Sequence, residues 1–149
     1  MGEIHVESTV RIDRAPEEVL AVLHDIAGQH EWWPGQYRSE PLDHDDDGRV
    51  ARALIGNDVK IAKDDFEVVY THDDNPDGAL GYRWAIAEPS TLQRSQTGSW
   101  QVRPDGAGSE VTLRLMVDST LPLPGFLLKK ALQDTVNGAT EGLRERCEG

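Results

Sequence analysis

The residues of this chain that could do chemistry concentrate on one strand-like run, Leu92–Arg103. Side chains of a strand alternate between two faces, and one alternating set is entirely polar: Gln93, Ser95, Thr97, Ser99, Gln101 and Arg103. We expect that set to face solvent, so the other set would face the interior: Leu92, Arg94, Gln96, Gly98, Trp100 and Val102. The pattern therefore predicts that Arg94 and Gln96 point inward, unless a bulge at Gly98 changes the register.

A buried guanidinium group needs a partner, because an unpaired interior charge costs several kcal/mol. Asp64 is the natural candidate, since it shares the expected inward face of its own strand with Ala62, Phe66, Val68 and Tyr70. An Arg94–Asp64 pair could then offer its donors to an oxygen of a ligand. In the alternative interpretation, Arg94 lies at the rim of the sheet in an ion pair that only stabilises the structure.

Aromatic residues form a second group of candidates for a binding site. Tyr82 and Trp84 share one face of their strand, and we expect Trp84 and Trp100 to lie towards an interior space. Trp32 and Trp33 come directly before a helix-breaking Pro-Gly pair, where they could border a pocket entrance. The alternative assigns Trp84 and Trp100 to the core and the other two tryptophans to lid packing.

Familiar catalytic and metal-binding motifs are missing or incomplete in the sequence. His30-Glu31 begins like a zinc-protease helix, but the second histidine would fall at Pro34. The Asp-rich segments 43–48 and 73–78 begin like calcium loops, but an apolar residue stands at the glutamate position of both. The sequence also lacks a glycine-rich phosphate loop and a Gly-x-Ser-x-Gly elbow. We therefore predict no metal and no cofactor, and we assign no catalytic residue.

The order of elements predicts an antiparallel sheet. Residues Ile4–Ile12 alternate as a strand, and a helix follows from Ala15-Pro16, with a second helical piece around Gly28–Trp33. Turn residues at 46–48, 56–58, 75–78 and 104–106 then separate six further strand-like runs. Short turns between consecutive strands favour antiparallel pairing. The predicted runs are Tyr37–His44, Arg49–Ile55, Val59–Thr71, Leu80–Ala87, Leu92–Arg103 and Ser109–Thr120.

A single long helix is predicted from Phe126 to about Cys147, because the preceding Pro-Gly pair suits a first helical turn. One stripe of this helix is largely apolar at spacings of three and four residues: Leu128, Leu132, Thr135, Val136, Ala139 and Leu143. The stripe must lie on the sheet, and a curved sheet could enclose a space beneath Leu128, Leu132 and Val136. The glycines at 138 and 142 would allow close approach to the sheet or leave room for a ligand.

Length and charge limit the function classes. A chain of 149 residues suits a single domain, 1–149, with a sizeable core. The net charge of −12 makes nucleic acid and anionic membranes poor partners. No apolar run is long enough for a membrane span. The charged first residues and the single cysteine, Cys147, predict a cytoplasmic protein without a signal peptide.

Taken together, several motifs resemble those of the START/Bet v 1-like (SRPBCC) superfamily, and in particular its bacterial polyketide cyclase/dehydrase-like branch. They are the Ala15–Val19 helix start, the aromatic segment His30–Pro34 and the Leu121–Leu127 segment before the last helix, in this order and spacing. The resemblance covers nearly the whole chain. It implies an α+β helix-grip fold, in which a curved seven-stranded antiparallel sheet wraps round the C-terminal helix and leaves an apolar cavity between them.

The resemblance implies function less directly, because one scaffold can carry many functions. The first hypothesis is binding of a small hydrophobic molecule, such as a lipid, polyketide or aromatic, by a monomer or homodimer. The second is a cyclase or dehydratase in which Arg94, with Asp64 or Tyr82, polarises a carbonyl or moves a proton. The third is a protein–protein regulator without a ligand, which would need an exposed apolar patch on the outer face of the sheet.

Overall fold

A computed structural model describes residues 2–58, 62–72 and 80–149. Within them the chain forms one sheet of seven strands, two α-helices and a short 3₁₀ helix. The strands are β1 (Ile4–Ile12), β2 (Gln36–His44), β3 (Val50–Asp58), β4 (Lys63–Thr71), β5 (Leu80–Ile86), β6 (Gln93–Asp105) and β7 (Gly108–Ser119). The helices are α1 (Pro16–His24), the 3₁₀ helix Ile26–Glu31 and α2 (Gly125–Glu148).

All neighbouring strands of the sheet pair antiparallel, in the order β1-β7-β6-β5-β4-β3-β2. Each strand from β2 to β6 therefore pairs with the next one along the chain, and β1 forms the edge of the sheet beside β7. The curved sheet and the long terminal helix make this the helix-grip fold, so the predicted fold class is confirmed.

Helix α2 packs chiefly against β1 and β7. Its residues Val136, Ala139 and Leu143 are completely buried beneath the helix. A hydrogen bond of 2.8 Å joins the Ser8 and Thr140 hydroxyl groups across this contact, which explains how a serine fits on the inward face of β1. The first half of α2 is less buried than the second, and this difference leaves space between helix and sheet.

The close contact of α2 with the segment after the 3₁₀ helix explains why α2 has a glycine at position 142. A Cβ atom on Gly142 would lie only 1.9 Å from the backbone oxygen of Trp32. Gly138 has more room, since its Cβ would lie 3.4 Å from the Pro34 side chain. Gly142 therefore permits close approach of α2 to the Trp32–Pro34 segment rather than to the sheet.

One of the predicted turns differs from the structure. The predicted turn at Gly56-Asn57-Asp58 is wrong, because β3 continues through these residues to Asp58. The ring of Tyr37 occupies the place of a Gly56 side chain, with Cζ 2.7 Å from where its Cβ would lie. The glycine therefore accommodates a neighbouring ring within a strand. Residues 59–61, at the start of the predicted fourth strand, and the predicted turn and calcium-like segment at 73–78 lie outside the described residues.

Candidate ligand-binding site

A cavity of about 560 Å³ lies between the first half of α2 and the concave face of the sheet. Most of its wall is apolar and comes from β3, β4, β5, β7, α2 and the segment after the 3₁₀ helix. The principal apolar lining residues are Trp33, Ile55, Phe66, Val68, Trp84, Leu115, Val117, Leu128 and Leu132. A space of this size and composition suits a small hydrophobic molecule.

Period-two alternation on β4 supplies four wall residues: Asp64, Phe66, Val68 and Tyr70. All four are buried, as the sequence predicts. Burial raises the pKa of the Tyr70 hydroxyl well above its usual range, so this wall group stays protonated at neutral pH. Asp64 is the exceptional member, since it is a carboxylate with only 3 % of its surface exposed.

A chain of hydrogen bonds ends at Asp64. The indole Nε1 of Trp84 donates to Gln96 Oε1 at 2.9 Å, and Gln96 Nε2 donates to Gln93 Oε1 at 2.5 Å. Gln93 Nε2 in turn donates to Asp64 Oδ2 at 3.1 Å, and Ser90 Oγ donates to the same oxygen at 2.7 Å. This network holds the carboxylate in place through neutral donors, and its described hydrogen-bond partners include no cation, which is unusual for a buried acid.

The second carboxylate oxygen of Asp64 has no hydrogen-bond partner among the described residues. Asn57 lies directly opposite Asp64 in the β3–β4 register, and its Oδ1 is also buried with no partner in the described part of the chain. Both residues line the cavity. Unsatisfied buried acceptors cost free energy, so this end of the cavity favours a hydrogen-bond donor.

Arg94 does not point into the cavity, and this corrects the inward placement expected from the sequence. Its side chain is 56 % exposed and pairs with Asp118 at 3.1 Å, while Nη1 also donates to the Ser119 oxygen. The cause is a register shift between Gln93 and Ser95 in the β6–β7 pairing. Because of that irregularity, Gln93 rather than Arg94 turns inward and contacts Asp64.

The alternative position for a bulge, Gly98, lies in regular pairing opposite Leu115. The Trp84 indole covers this glycine, and a Cβ there would lie 2.2 Å from the ring. Beyond the shift, Gln96, Trp100 and Val102 are buried, as the alternation predicts.

The structure brings seven of the predicted site residues to the cavity wall: Trp33, Asp64, Phe66, Trp84, Gln96, Leu128 and Leu132. Their contact with a ligand remains a prediction. Trp32, Tyr82, Trp100 and Val136 are buried in the core away from the wall, in agreement with the core alternative for Trp100. The Tyr82 hydroxyl donates to the Leu23 backbone oxygen at 2.8 Å, so it is already engaged away from the cavity.

Trp32 and Trp33 take different positions. Trp33 lines the cavity and meets Trp84 and Trp100 edge-on, at ring distances of 6.4 and 5.9 Å. Trp32 lies on the other side of Pro34, in a groove beside Gly138 and Gly142 of α2. Both are more than nine-tenths buried, so the tryptophan pair belongs to the wall and core rather than to an exposed loop.

Sequence reasoning placed Gln96 on the wall but missed the amide side chains of Gln29, Gln36, Asn57 and Gln93. Gln29 Nε2 donates to Gln36 Oε1 at 2.9 Å, and both buried side chains line the wall. Gln93 and Asn57 were assigned to an outward face and to a turn. Their only signal in the sequence is an amide side chain close to strand residues that face inward. Amides on the protein surface show the same signal, so it does not distinguish cavity residues.

Two histidines, His24 and His72, lie in contact at the C-terminal end of α1, outside the cavity wall. His24 contacts the rings of His72 and Tyr82, at centroid distances of 5.4 and 5.5 Å. Burial lowers the pKa of His24, and the nearby His72 and Arg49 lower it further. His72 Nε2 lies 2.7 Å from the Val50 oxygen. Within the described residues no group of acids, histidines and cysteine has the arrangement of a metal site.

The family model of polyketide cyclase/dehydrase and lipid-transport proteins matches residues 3–148. The chain belongs to this family. Among curated protein sequences none matches the chain. No helix in the described ranges has the length and hydropathy needed to cross a membrane.

Several solved structures are similar in fold to this family member. A START superfamily protein from Mycobacterium smegmatis has a TM-score of 0.86 at 19 % identity, over 99 % of this chain and 98 % of the other. A STAR-related lipid transfer protein from Xanthomonas axonopodis has a TM-score of 0.79 at 22 % identity, over 96 % and 85 %. The ZhuI aromatase/cyclase from Streptomyces sp. R1128 has a TM-score of 0.73 at 17 % identity, over 99 % of this chain and 94 % of the other.

Proposed function

We propose that this protein binds a small, largely apolar molecule in the cavity between α2 and the sheet. The observation that carries the proposal is the cavity itself, about 560 Å³ with an apolar wall and a polar end at Asp64. Ligand pockets of proteins commonly measure ~300–1,000 Å³ and combine apolar walls with a few polar groups that fix orientation. Transfer of apolar ligand surface from water into such a space contributes ~25 cal/mol per Å².

Family membership supports this proposal at a coarse level. The family description includes lipid transport, and one similar structure is a STAR-related lipid transfer protein. Leu123 and Leu128 line the cavity where α2 begins, and the neighbouring Phe126 is 74 % exposed. An exposed apolar group of this kind at the cavity edge suits the capture of an apolar molecule from water.

A polyketide cyclase or dehydratase activity is the second candidate, and Asp64 is the observation that favours it. A buried carboxylate with one unpaired oxygen could accept a proton from a substrate held in the cavity. Arg94 and the Tyr82 hydroxyl are engaged away from the cavity, so Asp64 is the one of the three residues considered for this role that lines it. Loss of turnover with retained substrate binding in Asp64→Asn is the expected result for this candidate.

The binding proposal can be tested with the neutral fluorescent probe N-phenyl-1-naphthylamine. We expect saturable binding by the wild type and at least about tenfold weaker binding by Leu132→Trp, because the larger side chain fills the space. Lys129→Trp adds the same ring at an exposed position of α2 that does not line the cavity, so it controls for an extra surface tryptophan. Absent binding, or equal binding by both variants, would contradict the proposal.

A further inference from the structure

We propose that the ligand enters the cavity with a hydrogen-bond-donating, non-anionic head group, which donates to Oδ1 of Asp64. The inference rests on the proposed function and narrows its ligand class to apolar alcohols, phenols or amines. Apolar carboxylates, phosphates and molecules with only acceptor groups are excluded from the preferred class.

The first reason is the hydrogen-bond inventory of Asp64. An ionised carboxylate only accepts hydrogen bonds. Oδ2 already accepts from Ser90 and Gln93, at 2.7 and 3.1 Å, while Oδ1 has no partner among the residues that the structure describes. A buried acceptor that no described protein group satisfies gains most from a ligand donor, because hydrogen bonds to charged groups are the stronger ones.

The second reason is that the donors of the hydrogen-bond network around Asp64 are already committed to one another and to the carboxylate. Gln93 Nε2 is used by Asp64, Gln96 Nε2 by Gln93, and Trp84 Nε1 by Gln96. Each donation runs towards the carboxylate, so the network ends in an acceptor. The adjacent Asn57 adds a second oxygen that has no partner within the described ranges. A ligand with an acceptor head group would therefore find no ready donor in this network.

The third reason is charge. The described lining residues include Asp58, Asp64 and Asp134 but no lysine, arginine or histidine. Asp58 is exposed, and Asp134 is exposed and paired with Lys130 at 3.1 Å, so Asp64 is the buried acidic residue among the three. An anionic head group placed beside it would meet like charge in a poorly hydrated space, which is strongly unfavourable.

A series of ligands with the same ten-carbon chain and different heads tests this inference by displacement of N-phenyl-1-naphthylamine. Decan-1-ol and decylamine donate hydrogen bonds, 1-methoxydecane only accepts them, and decanoate is an anion. We expect both donors to bind at least about tenfold more tightly than 1-methoxydecane, as one charged hydrogen bond supplies. We expect decanoate to bind most weakly. The ratio of amine to alcohol shows whether a cationic or a neutral donor is preferred.

Asp64→Asn should remove most of the gap between donors and ether and relieve the penalty on decanoate. Asp65→Asn is the matched control, because Asp65 is the next residue of β4, lies on the exposed face and undergoes the same change of charge. It should keep the wild-type order. If Asp64→Asn does not fold, the relative affinities of the four ligands for the wild type still test the head-group preference.

Equal affinity for decan-1-ol and 1-methoxydecane, tight binding of decanoate, or an unchanged order in Asp64→Asn would overturn the head-group inference. The same holds if the probe binds and no member of the series displaces it. These outcomes leave apolar binding in the cavity intact. Failure of the probe itself to bind would instead remove the proposed function, and the inference with it.

Discussion

The backbone oxygen of Trp32 occupies the space where a side chain on Gly142 would stand, 1.9 Å from the expected Cβ position. This contact fixes α2 against the segment that carries Trp33, one wall of the cavity. The two glycines of this helix differ in this respect, because a Cβ on Gly138 would lie at an ordinary contact distance, 3.4 Å, from the Pro34 side chain.

Alanine at these two glycines should therefore change stability in opposite directions. Gly138→Ala should stabilise the protein by up to ~1 kcal/mol, since alanine favours helix over glycine. Gly142→Ala should destabilise it by ~1–3 kcal/mol, because the backbone of Trp32 must move to relieve the overlap. Urea unfolding of both variants measures the difference, and a stabilising Gly142→Ala would contradict the close approach.

Arg94→Met tests the corrected position of Arg94. The exposed Arg94–Asp118 pair should contribute less than ~1 kcal/mol to stability, as surface ion pairs do. Affinity for N-phenyl-1-naphthylamine should be unchanged. Gln93→Leu, one residue earlier, should cost ~1–3 kcal/mol, because it leaves Gln96 Nε2 without an acceptor and removes a donor from Asp64. A marked loss of probe affinity in Arg94→Met would contradict the exposed position of Arg94 and indicate that its side chain contacts the ligand.

The two adjacent tryptophans should report ligand entry unequally. Trp33 lines the cavity, whereas Trp32 lies in the groove beside α2. We therefore expect the change in tryptophan emission on decan-1-ol binding to persist in Trp32→Phe and to fall clearly in Trp33→Phe. Trp84 also lines the wall and accounts for what remains. An equal loss of the signal in both variants would show that the assignment of the two rings is wrong.

His24 should make the protein less stable in mild acid. Its pKa is lowered in the folded state by burial and by His72 and Arg49, so the unfolded chain binds a proton more readily. The stabilisation is complete above the unfolded pKa of about 6.5 and is lost as pH falls through the lowered folded value. Urea unfolding between pH 5 and 8 should give a flatter profile for His24→Gln than for wild type. The exposed His44→Gln controls for loss of an imidazole, and an unchanged slope in His24→Gln would contradict this account.

The fold was predictable because its signals are local and repeated. Proline at the start of both α-helices, alternation on β1 and β4, and turn residues between strands all point to one arrangement, and the family resemblance agrees with it. The same alternation placed Asp64 and Phe66 on the cavity wall correctly.

The polar end of the site was less predictable, because one irregular residue pairing reverses which neighbour faces inward. The shift between Gln93 and Ser95 exchanges a charged residue for an amide at the position next to Asp64. No residue in that stretch marks the shift, since Gly98, the expected bulge position, serves to accommodate Trp84. Contacts between residues far apart in the chain, such as Trp32 with Gly142, also cannot be predicted from the spacing of residues within one segment.

Native mass spectrometry of the protein purified from its own host tests the central claim most directly. The account predicts a population carrying one small apolar molecule with a hydroxyl or amine group, present in wild type and Lys129→Trp and depleted in Leu132→Trp. A wild-type protein that carries no such molecule and takes up neither decan-1-ol nor decylamine on incubation would contradict it.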